Sequence, residues 1–160
     1  HFNDLLMTQI EAKCSGHVEF VFLNVGLGTF LPVKCDKIEE HKMHSEQYRI
    51  PADVLARLNR DKAAGRKILA VGTTSVRTLE TAASHAGLLE RGEGFSDIFI
   101  YPGYKFKFVD EIITNFHLPC STLIMMISAF AGYEFTMNAY KSAVAEKYRF
   151  YSYGDCMIIK

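Results

Sequence analysis

KILAVGTTSVRTLE, residues 67–80, is the stretch that decides the fold. It starts with a short apolar segment, turns at Gly72, presents three consecutive hydroxyl residues and continues with helical spacing. This order predicts a strand over 67–71 and a helix over 73–86 that ends at Gly87. The first backbone N–H groups of a helix have no partner inside it, so the turn is suited to an anionic or polyhydroxylated ligand.

The same pattern recurs in IITNFHLPCST, residues 112–122. Ligands of open α/β sheets bind where strands end and helices begin, so both turns are expected to contribute to one site. One helix cap needs one hydroxyl, and three in succession exceed that need, although Ser and Thr are also ordinary caps. The residues expected to bind substrate are Gly72, Thr73, Thr74, Ser75, Arg77, Asn115, Ser121 and Thr122. For Arg77, an ion pair with Glu80 on the same helix is the alternative interpretation.

The rest of the chain alternates apolar strand patterns with helical ones, which favours a mixed α/β fold with a partly parallel sheet and flanking helices. Further helices are predicted over 3–14, 51–65, 121–131 and 136–148. Further strands are predicted over 17–25, 43–50, 97–101, 105–115 (as a pair) and 149–159.

Composition narrows the class of protein. The 160 residues are 49% hydrophobic and 22% charged with zero formal net charge, so any RNA contact has to use a local patch. No apolar run approaches the roughly 20 residues that cross a bilayer. Four cysteines without a C-x-x-C pair favour reduced thiols in a cytoplasmic protein. The chain starts with His1 inside a helix-like pattern, and we expect it to be the C-terminal part of a longer polypeptide.

Three side chains are candidates for proton transfer. His44 and Glu46 lie two apart, so on a strand both face one side, and His117 lies at a strand–helix junction. An exposed polar strand face and a capping or core histidine are the alternatives. None has metal-ligand spacing, so we expect no metal site.

Aromatic and cationic residues interleave in the 101–108 segment, which is typical of RNA contact but also of a simple hairpin. The residues expected to contact RNA are Tyr101, Tyr104, Lys105 and Lys107.

Six phrases resemble, in order and spacing, the S-adenosylmethionine:tRNA ribosyltransferase-isomerase family of queuosine biosynthesis. They are VGLGTF (25–30), EHKMHSE (40–46), AVGTTSVRTLE (70–80), DIFIYPGY (97–104), ITNFHLP (113–119) and YRFYSYGD (148–155), and the resemblance extends over essentially the whole chain. Two positions depart from the family, namely Asn24, where members commonly have His, and Cys120, where they commonly have Lys.

The resemblance implies that S-adenosylmethionine, without a metal, donates its ribosyl part to 7-aminomethyl-7-deazaguanine in the anticodon loop of tRNA. Epoxyqueuosine in tRNA, adenine and methionine would be the products. The chain would form the C-terminal part of the large catalytic domain of a two-domain enzyme, over residues 1–160, with an inserted β-barrel outside it. We expect a monomer that does not bind membranes, with His44, Glu46 or His117 as the base that removes the ribose 5′ proton.

Two other functions stay open. The first is another α/β enzyme with a nucleotide or phosphoribosyl donor, although Asp110 and Glu111 run into apolar residues rather than into a small, hydroxyl-rich loop. The second is a non-catalytic tRNA-binding module.

Overall fold

The computed structural model describes residues 2–14, 17–26, 33, 38–152 and 154–160. The glycine-rich residues 27–30 lie outside this part. The described elements, in chain order, are α1 (Asp4–Cys14), β1 (Phe22–Leu23), a 3-10 turn (Ile38–Glu40), β2 (Glu46–Arg49), α2 (Ala52–Ala63), β3 (Leu69–Val71), α3 (Thr73–Ala82), β4 (Glu93–Ser96), β5 (Glu111–Asn115), α4 (Thr122–Ala131), α5 (Tyr133–Ala145) and β6 (Cys156–Ile159).

The strands form two three-stranded sheets. In the first, with the order β1-β2-β4, both pairings are antiparallel. In the second, with the order β3-β5-β6, β3 and β5 are parallel and β6 is antiparallel to β5. The predicted mixed, partly parallel α/β architecture is therefore confirmed.

Helix α3 packs against strands of both sheets. Its apolar residues Val76 and Leu79 join a core that also contains Tyr48 from the first sheet and Ile112 from the second. Most of the helix is buried, including its charged residues Arg77 and Glu80. Burial of so much of one helix explains why its sequence decides the fold.

The structure corrects the prediction of a strand over 97–101. The strand that pairs with β2 is instead Glu93–Ser96, a glycine-containing stretch whose sequence predicts a loop. Gly94 lies opposite Tyr48 of β2, and a Cβ there would approach the Tyr48 ring to 3.2 Å. Glycine at this position is thus a requirement of close packing between paired strands rather than a sign of a turn.

The predicted strand pair over 105–115 is half wrong, because only Glu111–Asn115 forms a strand. Glu80 explains the difference. Its Oε1 accepts hydrogen bonds from the backbone N–H groups of Phe108 and Val109, both at 2.9 Å. Its Oε2 accepts from the Lys107 N–H at 2.9 Å and the Tyr104 hydroxyl at 3.0 Å. These N–H groups bind a buried carboxylate instead of a neighbouring strand.

The other predicted elements are confirmed, most of them with shorter bounds, while the helix predicted over 136–148 lies three residues earlier, at Tyr133–Ala145. The helix predicted over 73–86 ends at Ala82, because the Ala82 carbonyl accepts from the Glu90 N–H at 3.0 Å and Ala83 bridges to Leu89. The predicted strand 17–25 is reduced to Phe22–Leu23 and the strand 43–50 to Glu46–Arg49. The last strand starts only at Cys156, after a loop over 149–155.

Replacing Glu80 with Gln is expected to lower the free energy of unfolding by about 2–4 kcal/mol, because in either orientation the amide NH₂ group faces at least one backbone N–H, which cannot accept a hydrogen bond. Chemical denaturation measures the change. Tyr104→Phe is the control, since it removes one hydrogen bond to the same carboxylate and is expected to lower stability by about 1 kcal/mol. A loss for Glu80→Gln no greater than that of Tyr104→Phe would contradict this account of the 104–109 segment.

Candidate functional site

A pocket of about 210 Å³ lies where β3 and β5 end. Parallel pairing puts the carboxyl ends of these two strands at the same edge of the sheet, with the starts of α3 and α4 beside them. The pocket is lined by Gly72, Thr73, Thr74, Thr114, Asn115, Phe116, His117, Leu118, Ser121, Leu123, Tyr151 and Ser152. The two hydroxyl-rich turns, separated by about 40 residues in the sequence, therefore share one cavity.

The first turn places two of its three hydroxyl residues, Thr73 and Thr74, at the pocket. Gly72 precedes them with φ 86°, a conformation that side-chain-bearing residues rarely adopt, and its N–H donates to the Ile113 carbonyl at 2.8 Å. The Ser75 hydroxyl does not line the pocket; it donates to the Val71 carbonyl at 2.8 Å. For Ser75, the structural interpretation of the hydroxyl therefore fits better than the binding one.

The second turn contributes through Asn115 and Ser121. Ser121 caps α4, accepting from the Ile124 N–H at 3.3 Å while its hydroxyl donates to the Leu118 carbonyl at 2.7 Å. Asn115 donates from Nδ2 to the Asp155 carbonyl at 3.2 Å. Thr122 is buried beyond the cap and does not line the cavity, so only one hydroxyl of the predicted pair reaches the site.

His117 is held at the pocket by two neighbours. Its Nε2 lies 2.9 Å from the hydroxyl oxygen of Thr114, and its backbone N–H donates to the Tyr140 hydroxyl oxygen at 3.0 Å. Burial lowers the pKa of His117 to about 4. The ring is therefore neutral at pH 7, with one nitrogen protonated and one able to accept a proton.

The C-terminal loop forms a side of the pocket that residue-level reasoning missed. Tyr151 and Ser152 line the cavity, and the Tyr151 N–H donates to the Phe116 carbonyl at 3.0 Å. The loop is closed by Asp155, whose carboxylate accepts from the Arg149 N–H at 2.8 Å. Its signal in the sequence is Gly154, where a Cβ would lie 2.3 Å from the Arg149 carbonyl oxygen.

Two predicted residues lie in the interior instead. Arg77 is buried and forms an ion pair with Glu46 across the space between α3 and β2. The second oxygen of Glu46 accepts from the Gly26 N–H at 2.7 Å. Arg77 and Glu46 are thus absent from the residues that line the pocket, and the alternative Arg77–Glu80 ion pair is wrong because Glu80 binds the 107–109 backbone. His44 is exposed and precedes β2 rather than sharing a strand face with Glu46.

The predicted RNA-binding residues divide into two pairs. The Tyr104 hydroxyl donates to Glu80, and the Lys107 ammonium donates to the Ala83 carbonyl at 2.7 Å, so both polar groups point into the protein. Tyr101 packs on Phe99 with ring centroids 5.0 Å apart and stays partly exposed, and Lys105 is exposed. Only the second pair remains accessible to a nucleic acid.

Over the described ranges, three further features bear on function. Groups of three or more His, Cys, Asp or Glu that could hold a metal ion do not occur there. Nor is any helix of this part long and apolar enough to cross a membrane. Cys120 and Cys156 are free and exposed.

Comparison with known proteins gives a consistent result. Residues 1–159 match the family described as queuosine biosynthesis protein. The chain is 52% identical over 159 residues to the S-adenosylmethionine:tRNA ribosyltransferase-isomerase of Syntrophotalea carbinolica and 51% identical over 160 residues to that of Natranaerobius thermophilus. The matches include 99% and 100% of this chain but only 46% of each relative, so the chain spans about half of their length.

A solved structure shows the same fold. The S-adenosylmethionine tRNA ribosyltransferase of Thermotoga maritima superposes with a TM-score of 0.77 and 42% identity. The match covers 100% of this chain and 50% of that one.

The partly buried imidazole of His117 predicts a pH dependence of stability. Because its folded pKa of about 4 lies below the ordinary value of about 6.5, the unfolded chain binds the proton more tightly. The free energy of unfolding should therefore fall by about 2–3 kcal/mol, from this group alone, as the pH drops from 6.5 to 4. Denaturation at pH 7 and pH 4.5 measures the difference, and His117→Gln should lack this part of it. His85→Gln, at an exposed histidine, should behave as the parent; equal pH dependence in all three proteins would contradict the assignment.

Proposed function

The chain belongs to the queuosine biosynthesis protein family, and from this premise we propose that it carries the donor site of an S-adenosylmethionine:tRNA ribosyltransferase-isomerase. The whole enzyme transfers the ribosyl part of S-adenosylmethionine to 7-aminomethyl-7-deazaguanine in tRNA and isomerises it to epoxyqueuosine. Adenine and methionine leave. Residues 1–160 form the C-terminal part of its catalytic α/β domain.

The observation that carries the proposal is the common pocket of the two strand–helix turns. Thr73, Thr74 and Ser121 supply hydroxyl groups, and Asn115 supplies an amide. Hydroxyl and amide groups match the ribose hydroxyls and the methionine carboxylate of the donor. The N-terminal end of α3 adds the partial positive charge that favours an anion. Apolar Phe116, Leu118 and Leu123 line the remaining wall, against which a purine or a methionine side chain packs.

Of the three candidate proton acceptors, His117 fits the donor site best. The sulfonium group acidifies the ribose 5′ carbon, and an unprotonated base near that carbon is needed to remove its proton. His117 lines the pocket and is neutral at physiological pH, whereas Glu46 is engaged by Arg77 in the interior and His44 is exposed outside the pocket.

The low pKa of His117 has a consequence for the reaction. Burial favours the proton-accepting form but disfavours the imidazolium that forms once the proton has been taken. S-adenosylmethionine brings a sulfonium and an ammonium as well as a carboxylate, so its net charge does not offset this cost. The carbanion that forms at the ribose 5′ carbon as the proton leaves is the negative charge that favours the imidazolium.

The acceptor tRNA has to be recognised by local features because the net charge of the chain is zero. Tyr101 and Lys105 are the accessible members of the interleaved segment, and they offer a stacking surface and a phosphate contact for the anticodon loop. A tRNA substrate would place the enzyme in the cytoplasm.

Transfer of label from S-adenosylmethionine labelled in its ribose to tRNA that contains the deazaguanine acceptor tests the proposal in the intact protein. His117→Gln is expected to lower kcat by about 10²–10⁴-fold, since a positioned base contributes that much, while donor affinity changes far less. His85→Gln is the matched control and should retain the parent rate. Donor affinity is measured by calorimetry with and without tRNA.

Two results would overturn parts of the proposal. If the intact protein binds tRNA but neither binds S-adenosylmethionine nor transfers label, the chain belongs to a tRNA-binding module. If label is transferred at the parent rate by His117→Gln, another residue removes the proton.

A further inference from the structure

Thr114 is the closest polar neighbour of the His117 ring that the structure records. It lies on β5, in register with Met157 of β6, and its side chain is buried. Its hydroxyl oxygen is 2.9 Å from Nε2 of His117. A β-strand residue packed on both sides has little rotational freedom, so this hydroxyl fixes the plane and direction of the imidazole.

The backbone of His117 is held separately from its ring. The N–H of His117 donates to the hydroxyl oxygen of Tyr140 at 3.0 Å. Tyr140 is buried on α5, and its ring packs edge-on against Phe116 with centroids 5.4 Å apart. The histidine is thus attached at two points, to a strand through its ring and to a helix through its main chain.

Hydrogen bonding at Nε2 decides what the other ring nitrogen can do. If the Thr114 oxygen accepts from Nε2–H, then Nδ1 carries the lone pair and can take a proton. That hydrogen bond persists unchanged when the ring becomes imidazolium, because Nε2 keeps its proton in both states. If the Thr114 hydroxyl instead donates to Nε2, the proton of the neutral ring is on Nδ1 and neither nitrogen is open to accept.

We propose that Thr114 and Tyr140 are positioning residues for His117, and that the Thr114 oxygen accepts from Nε2–H so that Nδ1 is the proton acceptor. This inference rests on the proposed function of the pocket. The Nε2–H tautomer is also the one that free histidine prefers, so Thr114 reinforces an intrinsic preference instead of opposing it. The arrangement is that of a base oriented by a third group, with a neutral hydroxyl in place of a carboxylate. A neutral partner suits the buried ring, because a second buried charge would carry its own desolvation cost.

Thr114→Val tests the role of the hydroxyl in the intact protein. Valine keeps the shape and the strand preference of threonine but cannot accept a hydrogen bond. The kcat for label transfer is expected to fall by about 10–100-fold, with a change of less than about threefold in KM for S-adenosylmethionine. Thr114→Ser keeps the oxygen and should recover kcat to within about threefold of the parent. Tyr140→Phe, which removes the acceptor of the His117 N–H and keeps the ring, should lower kcat by about 5–10-fold.

Nitrogen-15 NMR of protein labelled in its imidazole rings reads the tautomer directly. The His117 signals are identified by their loss in His117→Gln. We expect a protonated Nε2 and a bare Nδ1 in the parent, and a mixture of tautomers in Thr114→Val. A proton on Nδ1 in the parent would overturn the inference, as would unchanged ring signals and kcat in Thr114→Val.

Failure of the inference and failure of the proposed function have different signatures. A parent protein that transfers no label contradicts the proposed function, and the tautomer is still decided by NMR. If the parent transfers label and Thr114→Val transfers it at the same rate, only the positioning role is contradicted.

Discussion

Burial of two opposite charges on α3 is the constraint on which the rest of the structure depends. Arg77 and Glu80 lie within one turn of each other and are both almost inaccessible, yet they do not pair. Arg77 pairs with Glu46 of the first sheet, while Glu80 binds the backbone that leads into β5 of the second. A buried charge without a partner is strongly unfavourable, so these contacts keep α3 in one orientation between the sheets.

Fixing α3 also fixes the site. The N-terminal end of the helix follows β3 directly, and parallel pairing of β3 with β5 brings the second turn alongside. A contact next to the start of β5 has a related effect, because Lys62 of α2 binds both oxygens of Asp110 at 2.7 Å and Asp110 accepts from the Ile68 N–H at 2.8 Å. The starts of β3 and β5 are thereby held together, so their ends meet in a defined register beneath the pocket.

The pocket also shows how hydroxyl residues divide between structural hydrogen bonds and the lining of the cavity. Ser75 donates to the Val71 carbonyl and stays outside the cavity, whereas Ser121 caps α4 and also lines the cavity. Thr73 and Thr74 line it without a capping contact at the start of α3. Gly72 occupies the cap position of that helix, so the neighbouring hydroxyls are not needed for it. Sequence alone could not make this division, since all of these residues lie between a strand end and the first turn of the helix that follows it.

Local spacing and long matching phrases are enough to predict the α/β class, the helices, both strand–helix turns and the family. Which polar residues face a cavity, and which pair with each other in the interior, depends on contacts between distant elements that local spacing does not contain. Arg77, Glu46 and Glu80 look like surface or site residues by spacing, but their partners are 20–31 residues away along the chain. Gly94 and the 107–109 backbone were misread for the same reason, since a ring or a carboxylate from a distant element dictates their conformation. The local sequence pattern indicates which secondary structure a residue favours. Its position in the folded protein is set by burial and by the need to pair every buried charge.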